Sequence, residues 1–202
     1  MKSPFLLLLA GLFLTPDVSR AANNSSYSDI DFDACEKLQE DDLGVFLKCE
    51  GLKDYPVHVK EGDLRQSVLF GPASTLWLDN SFETFGPFNS TGTKVEWRLG
   101  ADGLPFAAIL RWLISNPDPD TGMPEKSAEG QVLVISRVAQ PGDGASCVAG
   151  YVDALANADA NTLAREVADS VVPGFTCITD TPEFHGKRGE KAGEPSRSLP
   201  DD

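Results

Sequence analysis

The sequence predicts an α+β domain: mainly an antiparallel β-sheet meander, with one main C-terminal helix packed on one face. Three stretches predict it. Residues 93–99 alternate Val95, Trp97 and Leu99 with Lys94, Glu96 and Arg98, and Gly100-Ala101-Asp102-Gly103 then supplies turn chemistry before an apolar return strand over 105–115. Residues 131–138 (QVLVISRV) are β-branched and largely apolar, as a central strand is. Leu163, Ala164, Val167, Ala168 and Val171 recur at helical spacing, with Asp159 or Asn161 placed to cap the start and Pro173-Gly174 to end it.

The other elements follow from turn residues and alternation. Residues 44–52, 55–60 and 65–70 are short strand patterns divided by Gly, Asp and Lys. Residues 71–92 are rich in Gly, Pro, Ser and Asn and punctuated by Trp77, Phe82, Phe85 and Phe88, which suits a packed loop or a short helical turn. A two-residue turn at Ala101-Asp102 sets Trp97 opposite Phe106. Phe106, Ala108, Leu110, Trp112 and Ile114 then share the face of Val95 and Trp97, and that face is core. Residues 147–155 form the last long strand. Residues 22–28 (ANNSSYS) read as a flexible spacer. Residues 186–202 have only Ala192 and Leu199 as aliphatic side chains, too little to offset ordering entropy, so a disordered tail is expected. One globular domain is thus expected over 29–185.

Residues 1–21 read as a secretory signal peptide. Lys2 gives the positive start, 5–14 the apolar run, and Ser19-Arg20-Ala21 the small residues before a cut after Ala21. The run is about half the roughly 20 apolar residues of a spanning helix. The 202-residue chain carries a net charge of −14, and loss of Lys2, Arg20 and Asp17 leaves it more acidic. Such a surface repels phosphate backbones and anionic lipid, which argues against nucleic acid and membrane partners and favours a cationic one. Four cysteines in an exported chain suggest two disulfides. Of the three pairings, Cys35–Cys49 and Cys147–Cys177 close short local loops, each worth roughly 3 kcal/mol. No C-x-x-C spacing exists, and His58 and His185 are the only histidines, so no metal or cofactor is expected.

Charges inside strands are the candidates for function. Arg111 alternates with Trp112 and shares a face with Ala107, Ile109 and Leu113. Glu96 and Arg98 lie on the neighbouring strand, Arg137 on the next and Asp153 beyond. If this face is open, its arginines suit bidentate recognition of a carboxylate. If it is covered, Arg111, Arg137, Glu96 and Asp153 satisfy one another. His58, with Glu61 and Asp63 nearby, suits acid–base or metal chemistry, but its alternation with Val57 and Val59 places it on the solvent side of a strand. Residues 116–122 (NPDPDTG) resemble a calcium loop, with the glycine one place late and no Glu at the twelfth position. Asp29, Asp31 and Asp33 read as a solvated strand edge. Asn24 and Asn89 open glycosylation patterns that matter only in a eukaryotic host. No G-x-S-x-G is present, and two disulfides leave no cysteine as a nucleophile.

The stretches CEGLKDYPVHVKEGDLR (49–65), PFAAILRW (105–112), GQVLVISRV (130–138) and CVAGYVDALANADANTLAREVAD (147–169) resemble a family of small exported proteins of alphaproteobacteria. The resemblance implies a periplasmic setting and no particular chemistry. Together these readings point to a non-catalytic periplasmic binding or interaction module with an arginine-bearing sheet face. Its partner would be a cationic or carboxylate-bearing protein or small ligand. The alternatives are a homodimeric structural envelope protein and a hydrolase-type enzyme using carboxylates or His58.

Overall fold

The computed structural model describes residues 24–118 and 120–200; the expected signal peptide lies outside them. In chain order the strands are β1 (Asn24–Asp29), β2 (Glu36–Asp41), β3 (Gly44–Leu52), β4 (Tyr55–Gly62) and β5 (Arg65–Phe70). Helix α1 (Thr75–Asn80) precedes β6 (Phe82–Phe85), β7 (Phe88–Leu99), β8 (Pro105–Ser115), β9 (Gly130–Arg137) and β10 (Cys147–Asp153). Helix α2 (Ala160–Val171) then leads to β11 (Glu183–Phe184) and β12 (Pro195–Ser198).

The long strands pair as the alternation demands, and the antiparallel sheets with one main helix fit the α+β expectation in outline. Strands β7, β8, β9 and β10 form an antiparallel run within a six-stranded sheet ordered β1-β7-β8-β9-β10-β11, with only the short β11 parallel to its neighbour. The difference from a lone meander is a second sheet. Strands β2-β3-β4-β5 make their own antiparallel layer. Its inner side chains, Val57, Val59, Val68 and Phe70, pack on Val95, Trp97, Leu110, Trp112, Ile114, Val132 and Val134 of the large sheet. Trp97 is fully buried there, edge-on to Phe70 at 5.6 Å between ring centroids. The opposite face of the large sheet carries Ala107, Ile109, Leu133, Ile135 and Val152, and it packs on Ala160, Ala164, Val167 and Ala168 of α2. The helical stripe read from the sequence is therefore the buried side of α2. Asp159 is its N-cap residue by position, without a side-chain capping bond.

Register differs at one hairpin. Trp97 stands opposite Ala108, and Phe106 packs with the α2-side cluster. The irregularity at Arg98/Leu99 and the longer Gly100–Leu104 turn shift the pairing by two residues and spare the face assignment of the rest of β8.

Two segments expected to be loose are built into the fold. Residues 24–28 of the spacer belong to β1, an edge strand on β7. Its serines are partners for polar groups on β7: Ser28 Oγ accepts from Trp97 Nε1 at 2.9 Å, and Ser25 Oγ accepts from Arg98 at 2.6 Å and donates to Glu96. Residues 186–200, expected as a disordered tail, run back over the molecule. β12 pairs antiparallel with β6, and Ala192 is fully buried. What orders the segment is polar: Asp153 accepts the Gly189 amide at 2.8 Å, Asn157 brackets Lys187, and Arg197 donates to the carbonyls of Cys177 and Asp180. Gly130 makes room, since a Cβ there would come 1.7 Å from the Lys191 carbonyl oxygen.

Disulfides join Cys35 to Cys49 and Cys147 to Cys177, the local pairing, and the described residues contain no free cysteine. They fit an exported protein. No helix among the described residues is long and apolar enough to cross a membrane.

Trp97 and Ser28 give a direct test of the polar edge strand. Ser28→Ala should lower unfolding free energy by about 1–3 kcal/mol by leaving the indole N–H without a partner. Trp97→Ala should lower it by about 3–5 kcal/mol through a core cavity. Urea unfolding of the oxidised protein measures both.

Candidate functional site

The arginine-bearing face is covered by α2 at Glu96 and Arg98, whereas Arg137 stays at its edge and lines a cleft of about 610 Å3. The helix supplies partners for three of the five charges, Arg98, Glu96 and Arg111. Arg98 meets Asp169 through Nε at 2.9 Å and Nη2 at 2.6 Å. Glu96 is held by Arg165 Nε at 2.5 Å. Burial opposes its ionisation, but the bonds from Arg165 and Ser25 hold it below the usual carboxylate range. Arg111 donates to Gln131 at 3.1 Å and reaches Asn161 of α2 at 3.5 Å. Arg137 pairs with Asp143 and donates to the Ala145 carbonyl. Asp153 is buried and spent on backbone: its Oδ1 accepts the Leu155 and Ala156 amides, and its Oδ2 the Gly189 amide. The residues expected to meet a partner thus meet the chain itself, mostly α2 and the returning tail rather than one another.

Other sequence candidates are also engaged. Asp118 Oδ1 accepts the Asp120 and Thr121 amides, so the calcium-like loop uses this carboxylate for its turn. No group of three metal-ligating side chains occurs among the described residues. Asp29 pairs with Lys94 at 2.8 Å, and Asp31 accepts the Asp33 amide. Asn89 is buried, and its Nδ2 donates to Thr84 and to the carbonyls of Phe85 and Pro87, which removes it as a glycan acceptor.

His58 is the correction that matters. It is 4% exposed rather than on the solvent side. The outer face of β3–β5 is bordered by Pro72, Ala73 and Leu78, which leave an open cleft of about 720 Å3 beside it. His58 lines it with Lys48, Pro56, Pro72, Ala73 and Leu78, and Glu36, Glu50, Lys53 and Asp54 also border it. Leu78 is also a wall of a second cleft of about 480 Å3 over Phe46 and Lys60. The register sets Glu36, Lys48, His58 and Leu69 in one row across four strands. Of the His58 ring nitrogens, Nδ1 is enclosed without a hydrogen-bond partner among the described residues. Burial, then Lys48 and Lys60, push the imidazole down to about 4, so it is neutral at pH 7. Glu61 accepts from Gln66 at 2.8 Å and Asp63 pairs with Arg65, so the expected histidine–carboxylate cluster does not assemble. Alternation alone gave no sign of these neighbours, because they sit in the irregular 71–92 stretch.

A second buried titratable group lies under the tail. Glu83 of β6 is 5% exposed. Its Oε2 accepts the Val148 amide at 2.7 Å, and Arg197 Nε of β12 stands 3.4 Å from Oε1. Burial outweighs both and pushes its carboxyl up to about 7. Tyr151 is raised as well, by burial and then by Glu83. Sequence reading missed Glu83; its only signal is a charge between aromatics in 82–85.

No family model, curated protein or solved structure matches this chain.

The two buried groups pull stability in opposite directions with pH. His58 falls from 6.5 to about 4 on folding, so its contribution is complete above 6.5 and is lost as pH drops toward 4. Glu83 rises from 4.5 to about 7, so its contribution is complete below 4.5 and is lost as pH climbs toward 7. Their slopes oppose each other in the overlap. Between those limits, Glu83→Gln should leave a stability that rises with pH, and His58→Leu one that falls. Each slope should be at most about 1.4 kcal/mol per pH unit, read from urea midpoints across the range.

Proposed function

We propose that this chain is a non-catalytic binding module that takes a small ligand in the cleft over His58, and that it works in the bacterial periplasm, the setting that its resemblance to small exported alphaproteobacterial proteins implies. The observation that carries the reading is a buried, neutral imidazole lining a cleft of about 720 Å3. Two disulfides support the oxidising setting. Against catalysis stands the chemistry at His58. An imidazole held near 4 is a weak base at neutral pH, and neither Glu61 nor Asp63 orients it. The arginine-bearing face is set aside as the ligand surface because α2 occupies it.

Thermal unfolding with and without the small-molecule fraction of a periplasmic extract tests the reading. Binding at about 100 times Kd adds about 2.7 kcal/mol, which raises Tm by several degrees. The rise should persist in Arg111→Ala and vanish when Ala73→Trp fills the cleft. His58-dependent turnover of any extract component would replace the reading with the enzyme alternative.

A further inference from the structure

We propose that the cleft over His58 binds a short peptide of two or three residues, its C-terminal carboxylate between His58 and Lys48 and its ammonium toward Glu36; this rests on the binding-module reading and names its ligand class. The tautomer comes first. Enclosing an unpartnered lone pair is less costly than enclosing an unpartnered N–H, because orphaned buried donors are the rarer case in folded proteins. Nδ1 is the enclosed, unpartnered nitrogen of His58. The proton therefore sits on Nε2, and the ring is a neutral donor at the cleft floor. Lys48 is its direct cross-strand neighbour on the same face, and its ammonium makes no ion pair among the described residues. Lys60 lies two residues along β4, with its ammonium donating to the Ser81 carbonyl at 2.9 Å, and it adds to the positive potential felt by His58. A fixed N–H beside an ammonium without an ion pair matches a carboxylate.

The far end of the row has the opposite sign. Glu36 stands opposite Lys48 on β2; Glu50 of β3 and Asp54 of the β3–β4 turn also border the cleft, with Lys53 beside Asp54. None of the three is in an ion pair among the described residues. That rim disfavours a bare polyanion such as a phosphate and favours a ligand with an ammonium at one end. Strands lie about 4.8 Å apart, so Glu36 is about 7 Å from the midpoint of His58 and Lys48 across the sheet. An extended peptide advances about 3.3–3.6 Å per residue, and the span corresponds to two or three residues. Pro56, Pro72, Ala73 and Leu78 offer apolar walls for small side chains. The polar ends and dry sides are what a peptide zwitterion requires.

Isothermal titration and His58 side-chain 15N NMR of the oxidised protein test this with tri-alanine, tri-alanine amide and N-acetyl-tri-alanine. Tri-alanine should bind and move the Nε2 resonance. The amide and the acetylated peptide should each bind at least about tenfold more weakly, a difference of about 1.4 kcal/mol. Lys48→Ala, an exposed position safe for folding, should weaken tri-alanine by a similar factor, whereas Lys94→Ala, remote and paired with Asp29, should not. Equal affinity for the amide, or an unmoved Nε2 resonance, overturns the inference. If no peptide binds but the extract fraction raises Tm in wild type and not in His58→Phe, the peptide inference falls and the binding-module reading stands. If neither binds, both fall.

Discussion

The burial of the large sheet on both faces is the constraint from which the other features follow. A sheet open to water on one side keeps charged residues at little cost. Here the four-stranded sheet covers one side and α2 the other, so every charge on β7 to β10 needs a partner within the chain. The inner face meets the demand by being mostly apolar, with Ser136 and Thr91 as buried polar exceptions and Trp97 anchored by a bond to Ser28. The outer face keeps Glu96 and Arg98, and α2 carries Arg165 and Asp169 at the spacing that meets them. Arg165 and Asp169 stay about a third exposed, so solvent screening limits what these pairs add to stability.

How much of this was legible in the sequence depends on whether the signal was local. Strands β3, β5, β8 and β9, helix α2 and the local disulfide pairing all carry their own pattern of alternation, period or spacing. Strand β1 does not: Asn-Ser-Ser-Tyr-Ser-Asp looks like a linker, because its role is to satisfy polar atoms of β7 that sequence reading cannot pair with it. The tail has the same character. Its one buried aliphatic residue, Ala192, and its arginines become meaningful only against Gly130, Asp153 and Glu83, which are distant in sequence.

The candidate site was half legible. His58 stands out as one of two histidines, but strand parity says which face a residue is on and not whether neighbouring segments bury it. The segment beside it, Pro72 and Ala73 with Leu78 of the six-residue α1, lies in a stretch with no clean period. The arginine face shows the converse error. Its residues were identified, and their alternation placed them together, but the helix that covers them was assigned no side of the sheet. Both cases turn on layer order, which is a global property of the topology.

The edge of the smaller sheet has a consequence of its own. All six residues of β2 are exposed, and its pairing is to β3 alone. The Cys35–Cys49 bond ties the start of β2 to that neighbour. Under reducing conditions the strand is free to peel away and bare the backbone of β3, with Val45 and Leu47 along it, as a template for another molecule. The thiol chemistry of the surrounding compartment thereby acts as a guard against intermolecular strand exchange: the oxidised protein should stay monodisperse at concentrations where the same chain, made in a reducing cytosol, self-associates.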